Sequence, residues 1–162
     1  MTSRCRGFTL MELIMVILLV GIIAVVALPR LFQRSEFDEK GFLDETAFAV
    51  RYAQKQAVAW GCDVQVSVSP TGFTLNRRGA GCTISDCTSC SFTGTVMHPT
   101  NGGPFTATAP SGVALSPSTS FYFDKVGRPV NASNSLITVP TTISVNSSSF
   151  TVEPITGFTH VN

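Results

Sequence analysis

The feature that most constrains this chain is the apolar run Phe8–Leu28 near its amino end. It holds 21 residues and is broken only by a threonine, a glycine and the carboxylate of Glu12. At about 1.5 Å per residue, a helix of this length spans roughly 30 Å, the thickness of a hydrocarbon core. Arg4 and Arg6 precede the run, and such residues stay on the cytoplasmic side. The run predicts a single-pass transmembrane helix that places the rest of the chain on the oxidising side of the membrane.

A removed secretory signal peptide is the alternative interpretation of the same run. Its apolar part would hold about 7–15 residues and end at a site resembling Ala-x-Ala. The run in this chain is longer, and it continues into Leu28-Pro29-Arg30 without small residues where such a cleavage needs them. The sequence therefore favours a retained anchor.

Glu12 is the one carboxylate in the run and needs a physical explanation. An ionisable side chain inside a membrane segment is costly and by default marks a function that involves a neutralising partner. Alternatively, a carboxylate close to a helix start can reach the headgroups or interact favourably with the helix dipole. Position alone leaves both explanations open.

The residues around Glu12 form a recognisable motif. The stretch RCRGFTLME, with its short basic leader, resembles the prepilin leader site of type IV pilins and type II secretion pseudopilins. The resemblance implies cleavage by prepilin peptidase between Gly7 and Phe8 and N-methylation of Phe8. It also implies a helix kink at Pro29, the twenty-second residue counted from Phe8.

The resemblance gives Glu12 a role in assembly. After cleavage Phe8 would carry an α-amine, which is mostly cationic at neutral pH because its ordinary pKa is about 7.7–8.0. A carboxylate left alone in lipid costs about 2.5–3.5 kcal/mol near the helix centre and less near the interface. Pairing of Glu12 with the Phe8 amine of a neighbouring subunit would therefore favour transfer from the bilayer into a filament.

The resemblance also implies a domain order, a location and a set of partners. Residues 1–7 form the leader, 8–29 the transmembrane and filament-core helix, 30–61 an amphipathic helix half, and 62–162 a β-rich periplasmic domain. The protein would be anchored in the bacterial inner membrane and then enter a pilus or pseudopilus. Its partners would be other pilins or pseudopilins bound through the N-terminal helix, prepilin peptidase, the inner-membrane assembly platform and the inner membrane itself.

Beyond Pro29 the pattern predicts more helix and then short strands. Apolar residues at offsets of three and four continue to Trp60, and Gly61 is a natural stop. Six short segments alternate or are bounded by turn residues, and the first two form a hairpin. The predicted fold is α+β, with a long N-terminal helix packed on a C-terminal antiparallel sheet. The predicted strands are residues 63–68, 73–76, 120–124, 135–139, 142–146 and 150–153, with a loop over 79–112.

The globular part carries a second, less specific resemblance. The stretches FAVRYAQKQAVAWG, YFDKVGRP and VEPITGFTHV resemble H-type pseudopilins and FimT-like minor pilins, including those of MSHA-type pili. The family pattern has a Phe-Asp-x-x-Gly-Arg turn and a late Thr-Gly pair. The matching residues are Phe123, Asp124, Gly127, Arg128, Thr156 and Gly157.

Four cysteines would remain after loss of the leader, which takes Cys5 with it. An even number on the oxidising side favours disulfides, and three pairings are possible. We predict Cys62–Cys82 and Cys87–Cys90, which would fix a long loop. A zinc site that adds Cys62 or His98 to the other three cysteines, and a redox-active Cys87-x-x-Cys90, are the alternatives.

Nothing in the sequence favours catalysis, a cofactor or a resident metal. The net charge is +1, which gives no basic field for generic nucleic-acid binding. The cations of residues 62–162 match the acids in number and are expected to be solvated turn charges, so nucleic acid is an unlikely partner. They are Arg77, Arg78, Lys125 and Arg128.

The sequence thus predicts a structural minor pilin or pseudopilin rather than an enzyme. The alternative function is a binding module at a filament tip, an adhesin or a DNA-uptake receptor, with the loop from Cys82 to Cys90 as its contact surface.

Overall fold

The computed structural model describes residues 8–31, 34–79 and 91–162, with backbone alone for 26–31, 34 and 35. The chain divides into two compact units, Met1–Glu36 and Phe37–Asn162.

The first unit consists of the helix α1, Leu10–Leu31. It begins directly after Thr9 and continues through Pro29. Every large apolar side chain from Phe8 to Val25 is at least 40% exposed. Among the residues that the structure describes, no helix is both long and apolar enough to cross a membrane.

The helix α2, Arg34–Trp60, supplies one side of the core of the second unit. It ends because Gly61 adopts a left-handed conformation with φ of 62°, which glycine adopts without steric cost. Its buried residues recur at helical spacing, and four of them are alanines that let the sheets approach closely. They are Phe42, Leu43, Thr46, Ala47, Ala49, Val50, Ala53 and Ala57.

Ten short strands follow α2 and form two antiparallel sheets. The first sheet has the order β3-β2-β1-β6-β7, with β4 also paired to β2, and the second has the order β10-β9-β8-β5. The strands are β1 Val64–Ser69, β2 Gly72–Arg77, β3 Gly94–Thr95, β4 Thr106–Thr108, β5 Leu115–Ser116, β6 Thr119–Phe123, β7 Pro129–Asn131, β8 Thr141–Val145, β9 Ser148–Val152 and β10 Thr159–Val161.

One hydrophobic core joins α2 to both sheets. Alternate residues of β1 are buried while those between them are more exposed, the period-2 pattern of a strand with one face on the core. Phe105, Phe121, Phe123 and Phe150 are the largest fully buried side chains. Tilted and edge-to-face contacts between neighbouring rings, such as Phe121 and Phe123 at 5.6 Å, add to the burial of their surface.

The structure confirms the predicted α+β fold and most of its strands. The first hairpin has the expected register, with Ser69 opposite Gly72 and only two residues between them. The strands predicted at 120–124, 142–146 and 150–153 appear within one residue or two as β6, β8 and β9. Whether α1 and α2 form one continuous helix stays a prediction, since residues 32–33 lie outside the described part.

The prediction of a strand at residues 135–139 is wrong. Leu136 forms only an isolated bridge to Val130, Val139 is 68% exposed, and Pro140 follows without an amide hydrogen to donate. The predicted loop over 79–112 contains the short strands β3 and β4. The sequence did not predict β3 and β4 because two or three residues are too few to show an alternating pattern.

Candidate functional site

The first candidate site is the start of α1, where Thr9 and Glu12 form a capping box. The amide of Glu12 donates to Thr9 Oγ1 at 3.2 Å, while the amide and the hydroxyl of Thr9 both donate to Glu12 Oε2 at 3.4 Å. This reciprocal arrangement satisfies amide groups that a helix start otherwise leaves unpaired. The helix-start explanation of Glu12 therefore has a geometric basis.

The capping box does not use up the capacity of Glu12 to bind a cation. The two bonds to Oε2 are 3.4 Å long, beyond the usual range of about 2.7–3.2 Å, and Glu12 is exposed. A charge-assisted bond to an ammonium group is shorter and stronger than these. The geometry is thus compatible with both roles of Glu12.

The other predicted N-terminal site residues are placed only in part. Phe8 is 77% exposed and lies two residues before α1. Gly7 lies outside the described residues, and the backbone at Pro29 is helical. Cleavage after Gly7, methylation of Phe8 and a kink at Pro29 stay predictions.

The second candidate site is a junction around Gln54 of α2. Gln54 Nε2 donates to the carbonyl of Gly127 at 2.8 Å and to the carbonyl of Thr156 at 2.7 Å. One side chain thereby connects α2 with both turns of the second sequence resemblance, which lie about thirty residues apart in the chain. We call this arrangement the Gln54 junction.

The turn at residues 124–128 is held by its own carboxylate. Asp124 Oδ1 accepts from the amides of Val126 and Arg128 at 3.0 and 2.9 Å, and Asp124 Oδ2 pairs with the Arg128 side chain at 2.8 Å. Gly127 has φ of 86°, which favours glycine. These contacts explain why Phe-Asp-x-x-Gly-Arg forms a compact turn.

The turn at residues 154–157 contains a strained backbone and a tightly packed glycine. Ile155 has φ of 65°, which is a genuine outlier for a β-branched residue and costs on the order of 1–3 kcal/mol. A Cβ on Gly157 would lie 2.7 Å from Gln54 Nε2 and 2.8 Å from the carbonyl oxygen of Gly127. The glycine of the late Thr-Gly pair therefore occupies a position with no room for a side chain.

Asp63 and Arg78 form a buried ion pair. Arg78 Nε contacts Asp63 Oδ2 at 2.9 Å, and the two side chains are only 4% and 2% exposed. The guanidinium also lies 4.4 Å from the ring centroid of Phe92 and 5.2 Å from that of Tyr122. Burial raises the pKa of Tyr122, and the Asp63 carboxylate adds to the effect.

The expectation that Arg78 is a solvated turn charge is wrong. Its carboxylate partner and the two aromatic rings make burial of the charge tolerable. Arg77, in contrast, lies over the exposed Trp60 ring at 5.9 Å. The adjacent cations therefore do not form a joint surface for phosphates.

Glu39 attaches α2 to the turn between β8 and β9. Glu39 Oε1 accepts from the amide and hydroxyl of Ser147 at 3.1 and 2.7 Å and from the amide of Ser148 at 3.1 Å. These hydrogen bonds, that of the Ser147 hydroxyl first, lower the pKa of Glu39 from its ordinary value of 4.5. The bonds stabilise the ionised carboxylate.

We expect the contribution of Glu39 to folding to depend on pH. Because its pKa is lower in the folded state, the contribution is present above pH 4.5 and is lost as the pH falls through the folded-state pKa. Glu39→Gln should therefore lower the melting temperature at pH 7, and this effect should shrink progressively as the pH falls below 4.5. Thermal unfolding of the full chain in mild detergent, followed by circular dichroism, measures both. Glu45→Gln, at an exposed position of the same helix, is the control, and an equal effect of both variants at all pH values would contradict the assignment.

Of the four cysteines predicted to form disulfides, one lies within the described residues. Cys62 is 3% exposed and disulfide-bonded. Cys82, Cys87 and Cys90 lie outside the described part, so the pairing stays a prediction. In the described ranges no group of three or more potential ligands could hold a metal ion.

Sequence reasoning missed Glu39 and the role of Gln54. A polar side chain in the apolar series of α2 was the available signal for Gln54, because a polar group on a buried face requires a hydrogen-bond partner. Glu39 gave no such signal, since an acid near a helix start is ordinary.

Comparison with known proteins supports the interpretation of the N-terminal motif. A family model described as the prokaryotic N-terminal methylation motif matches residues 2–28. The chain is also similar to the type IV narrow pilus major component PilA5 of Thermus thermophilus, with 39% identity over 88 residues, which cover 51% of this chain and 73% of that protein. No solved structure matches the chain.

A methylation motif at the start of a long apolar helix, followed by an α+β unit, is the arrangement of prepilin-like filament subunits. With the similarity to a pilus component over most of that component's length, this chain belongs to the type IV pilin family, which is a family of structural proteins.

Proposed function

We propose that the chain is a structural subunit of a type IV filament, a minor pilin or pseudopilin that prepilin peptidase processes after Gly7. The observation that carries the proposal is the methylation motif, whose match includes Gly7, Phe8 and Glu12. The similar protein of Thermus thermophilus is a pilus component, which favours a pilus over a type II secretion pseudopilus.

The exposed surface of α1 supports assembly through this helix. Its large apolar side chains are all at least 40% exposed, and so large an apolar surface is stable only when lipid or protein covers it. In our proposal residues 8–29 anchor the subunit in the inner membrane, with residues 62–162 in the periplasm. The assembly platform then transfers the subunit to a filament, where the helices of neighbouring subunits replace the lipid.

Glu12 gives the transfer a preferred axial register. In the filament the new ammonium group of Phe8 on one subunit pairs with Glu12 of its neighbour, and the pair is excluded from water. Both charges are then neutralised at one relative position of the two helices, while other positions leave each charge alone in an apolar environment.

Mass spectrometry of the mature protein from its host tests the processing. We expect a chain that begins at Phe8 and carries one added methyl group. Without reduction, the cysteines should resist alkylation, and peptide mapping should recover Cys62 joined to Cys82 and Cys87 joined to Cys90. A functional protein that still begins at Met1 would contradict the proposed function, whereas a different cysteine pairing would contradict the pairing alone.

A further inference from the structure

An exposed apolar patch surrounds the Gln54 junction. Val58, Val126, Ile155 and Phe158 are 53%, 65%, 59% and 62% exposed. Val58 Cγ2 lies 3.0 Å from the position that a Cβ on Gly127 would occupy, and Ile155 and Phe158 flank the turn held by Gln54. We call these four residues the junction patch.

The junction patch is not explained by folding of the single chain. Its side chains point largely into solvent, so they add little to the core. Ile155 moreover keeps a β-branched side chain in the left-handed region, with φ of 65°, where glycine or asparagine would be less strained. Strain of this kind accumulates at functional positions.

Cations border the junction patch. Arg51, Lys55 and Lys125 are exposed, and none of them forms a salt bridge with a carboxylate in the described ranges. Arg51 Nε donates to the neutral carbonyl of Thr159 at 3.1 Å. Of the two local acids, Asp124 pairs with Arg128 at 2.8 Å, so Glu153 is the one carboxylate set against these three cations in the described ranges. The border therefore has an excess of positive charge.

The complementary surface lies at the other end of α2. The segment Phe37–Glu45 carries four carboxylates and one lysine, and Phe37 is 78% exposed. Asp38, Asp44 and Glu45 are also exposed. We call Phe37–Glu45 the acidic segment. It combines an exposed aromatic ring with negative charge, as the junction patch combines apolar side chains with positive charge.

The two surfaces cannot meet within one molecule. The acidic segment and Val58 of the junction patch belong to the same helix, in which Val58 lies 17 positions after Gly41, or about 26 Å along the axis. Contact between them requires two molecules. An interface between different surfaces of identical copies is heterologous and extends into an open polymer unless the rotation closes a ring.

We propose that the junction patch of one copy docks on the acidic segment of a second copy of this chain. The proposal rests on the proposed function, since it applies where two copies of this chain are adjacent in the filament, and it adds the surface by which their globular units recognise one another. The charges set register and direction, while the apolar side chains and Phe37 supply the buried contact.

Photocrosslinking in cells that assemble the filament tests this docking. The full chain carries p-benzoylphenylalanine in place of Phe158, and after irradiation the adduct is mapped by mass spectrometry. We expect a product of two copies joined between residue 158 and the acidic segment. The same probe at Met97, which is 55% exposed and accepts a hydrogen bond from Tyr52, on a side of α2 that faces away from Gln54, is the control and should give no such product.

Charge reversal gives the second part of the test. Asp44→Lys with Glu45→Lys should lower the yield of the adduct roughly tenfold, and Lys55→Glu with Lys125→Glu on the same chain should restore it. Ile155→Asn, which tolerates the left-handed backbone, should lower the yield about fivefold without lowering the melting temperature.

The outcomes separate the docking proposal from the proposed function. The docking would be overturned if normal filaments gave an adduct that maps outside the acidic segment, or if charge reversal left the yield of the adduct unchanged. Either result would leave the proposed function intact. Normal filaments that give no adduct at all would also overturn the docking. A parent chain that is never found in filaments would overturn both.

Discussion

Replacing Glu12 with glutamine should lower the number of copies recovered in sheared filaments by at least about a hundredfold. Glutamine at this position can still form the capping box with Thr9, so the start of α1 is preserved. Only the negative charge is lost. In a filament the ammonium group of the neighbouring Phe8 would then be left unpaired away from water, and an unpaired buried charge costs several kcal/mol, roughly 3–5.

The measurement compares the amount of protein in sheared filaments with the amount in the membrane fraction. We expect the membrane amount to be unchanged, because a neutral residue enters an apolar segment more easily than a charged one. Glu36→Gln is the matched control, since it makes the same chemical change at an exposed position of α2. Full assembly of the Glu12→Gln variant would show that the capping box is the whole role of Glu12.

Glu12→Asp completes this series. Aspartate keeps the charge but has a shorter side chain, so it should recover part of the assembly that glutamine loses. Because the two variants differ in charge while both remain polar, the order Glu, Asp, Gln would identify charge rather than shape as the property required at position 12.

The sequence predicted the elements whose causes are local. The helical conformation of the apolar run, the end of α2 at Gly61 and the hairpin around Pro70 each depend on residues within a few positions of one another, and the structure contains all three. The motif from Gly7 to Glu12 is equally local. It therefore identified the family before any tertiary contact was known.

The features that the sequence did not predict depend on distant residues. Arg78 is fifteen residues from Asp63, and Glu39 is 108 residues from Ser147. Gln54 reaches across 73 residues to Gly127 and across 102 to Thr156. The nature of each side chain was visible, but its burial and partner follow only from the packing of α2 against the two sheets.

Gly157→Ala should destabilise the folded unit Phe37–Asn162 by about 3 kcal/mol. Two causes add, since Gly157 has φ of 67° and a Cβ would lie 2.7–2.8 Å from Gln54 Nε2, Gly127 O and Phe123 Cε1. For a chain of this size the melting temperature should fall by roughly 6–12 °C. Circular dichroism of the full chain in mild detergent measures the change.

Gly102→Ala separates the two causes. Gly102 has the same φ of 67°, but a Cβ there would meet nothing within 4 Å. This variant should therefore show only the backbone cost, about 1–2 kcal/mol. Equal destabilisation by the two alanines would mean that the close packing around Gly157 contributes nothing.

A double-mutant cycle with Gln54→Ala then measures the junction itself. Gln54→Ala alone removes the donor to the carbonyls of Gly127 and Thr156 and should cost about 1–3 kcal/mol. In that background Gly157→Ala should cost less than in the parent, because the atom nearest to the new Cβ is gone, while the Gly127 carbonyl and the Phe123 ring still resist it. A coupling of at least about 0.5 kcal/mol is expected for groups in contact. Strict additivity would mean that Gln54 and Gly157 do not act as one unit, and that the two turns are held to α2 by other contacts.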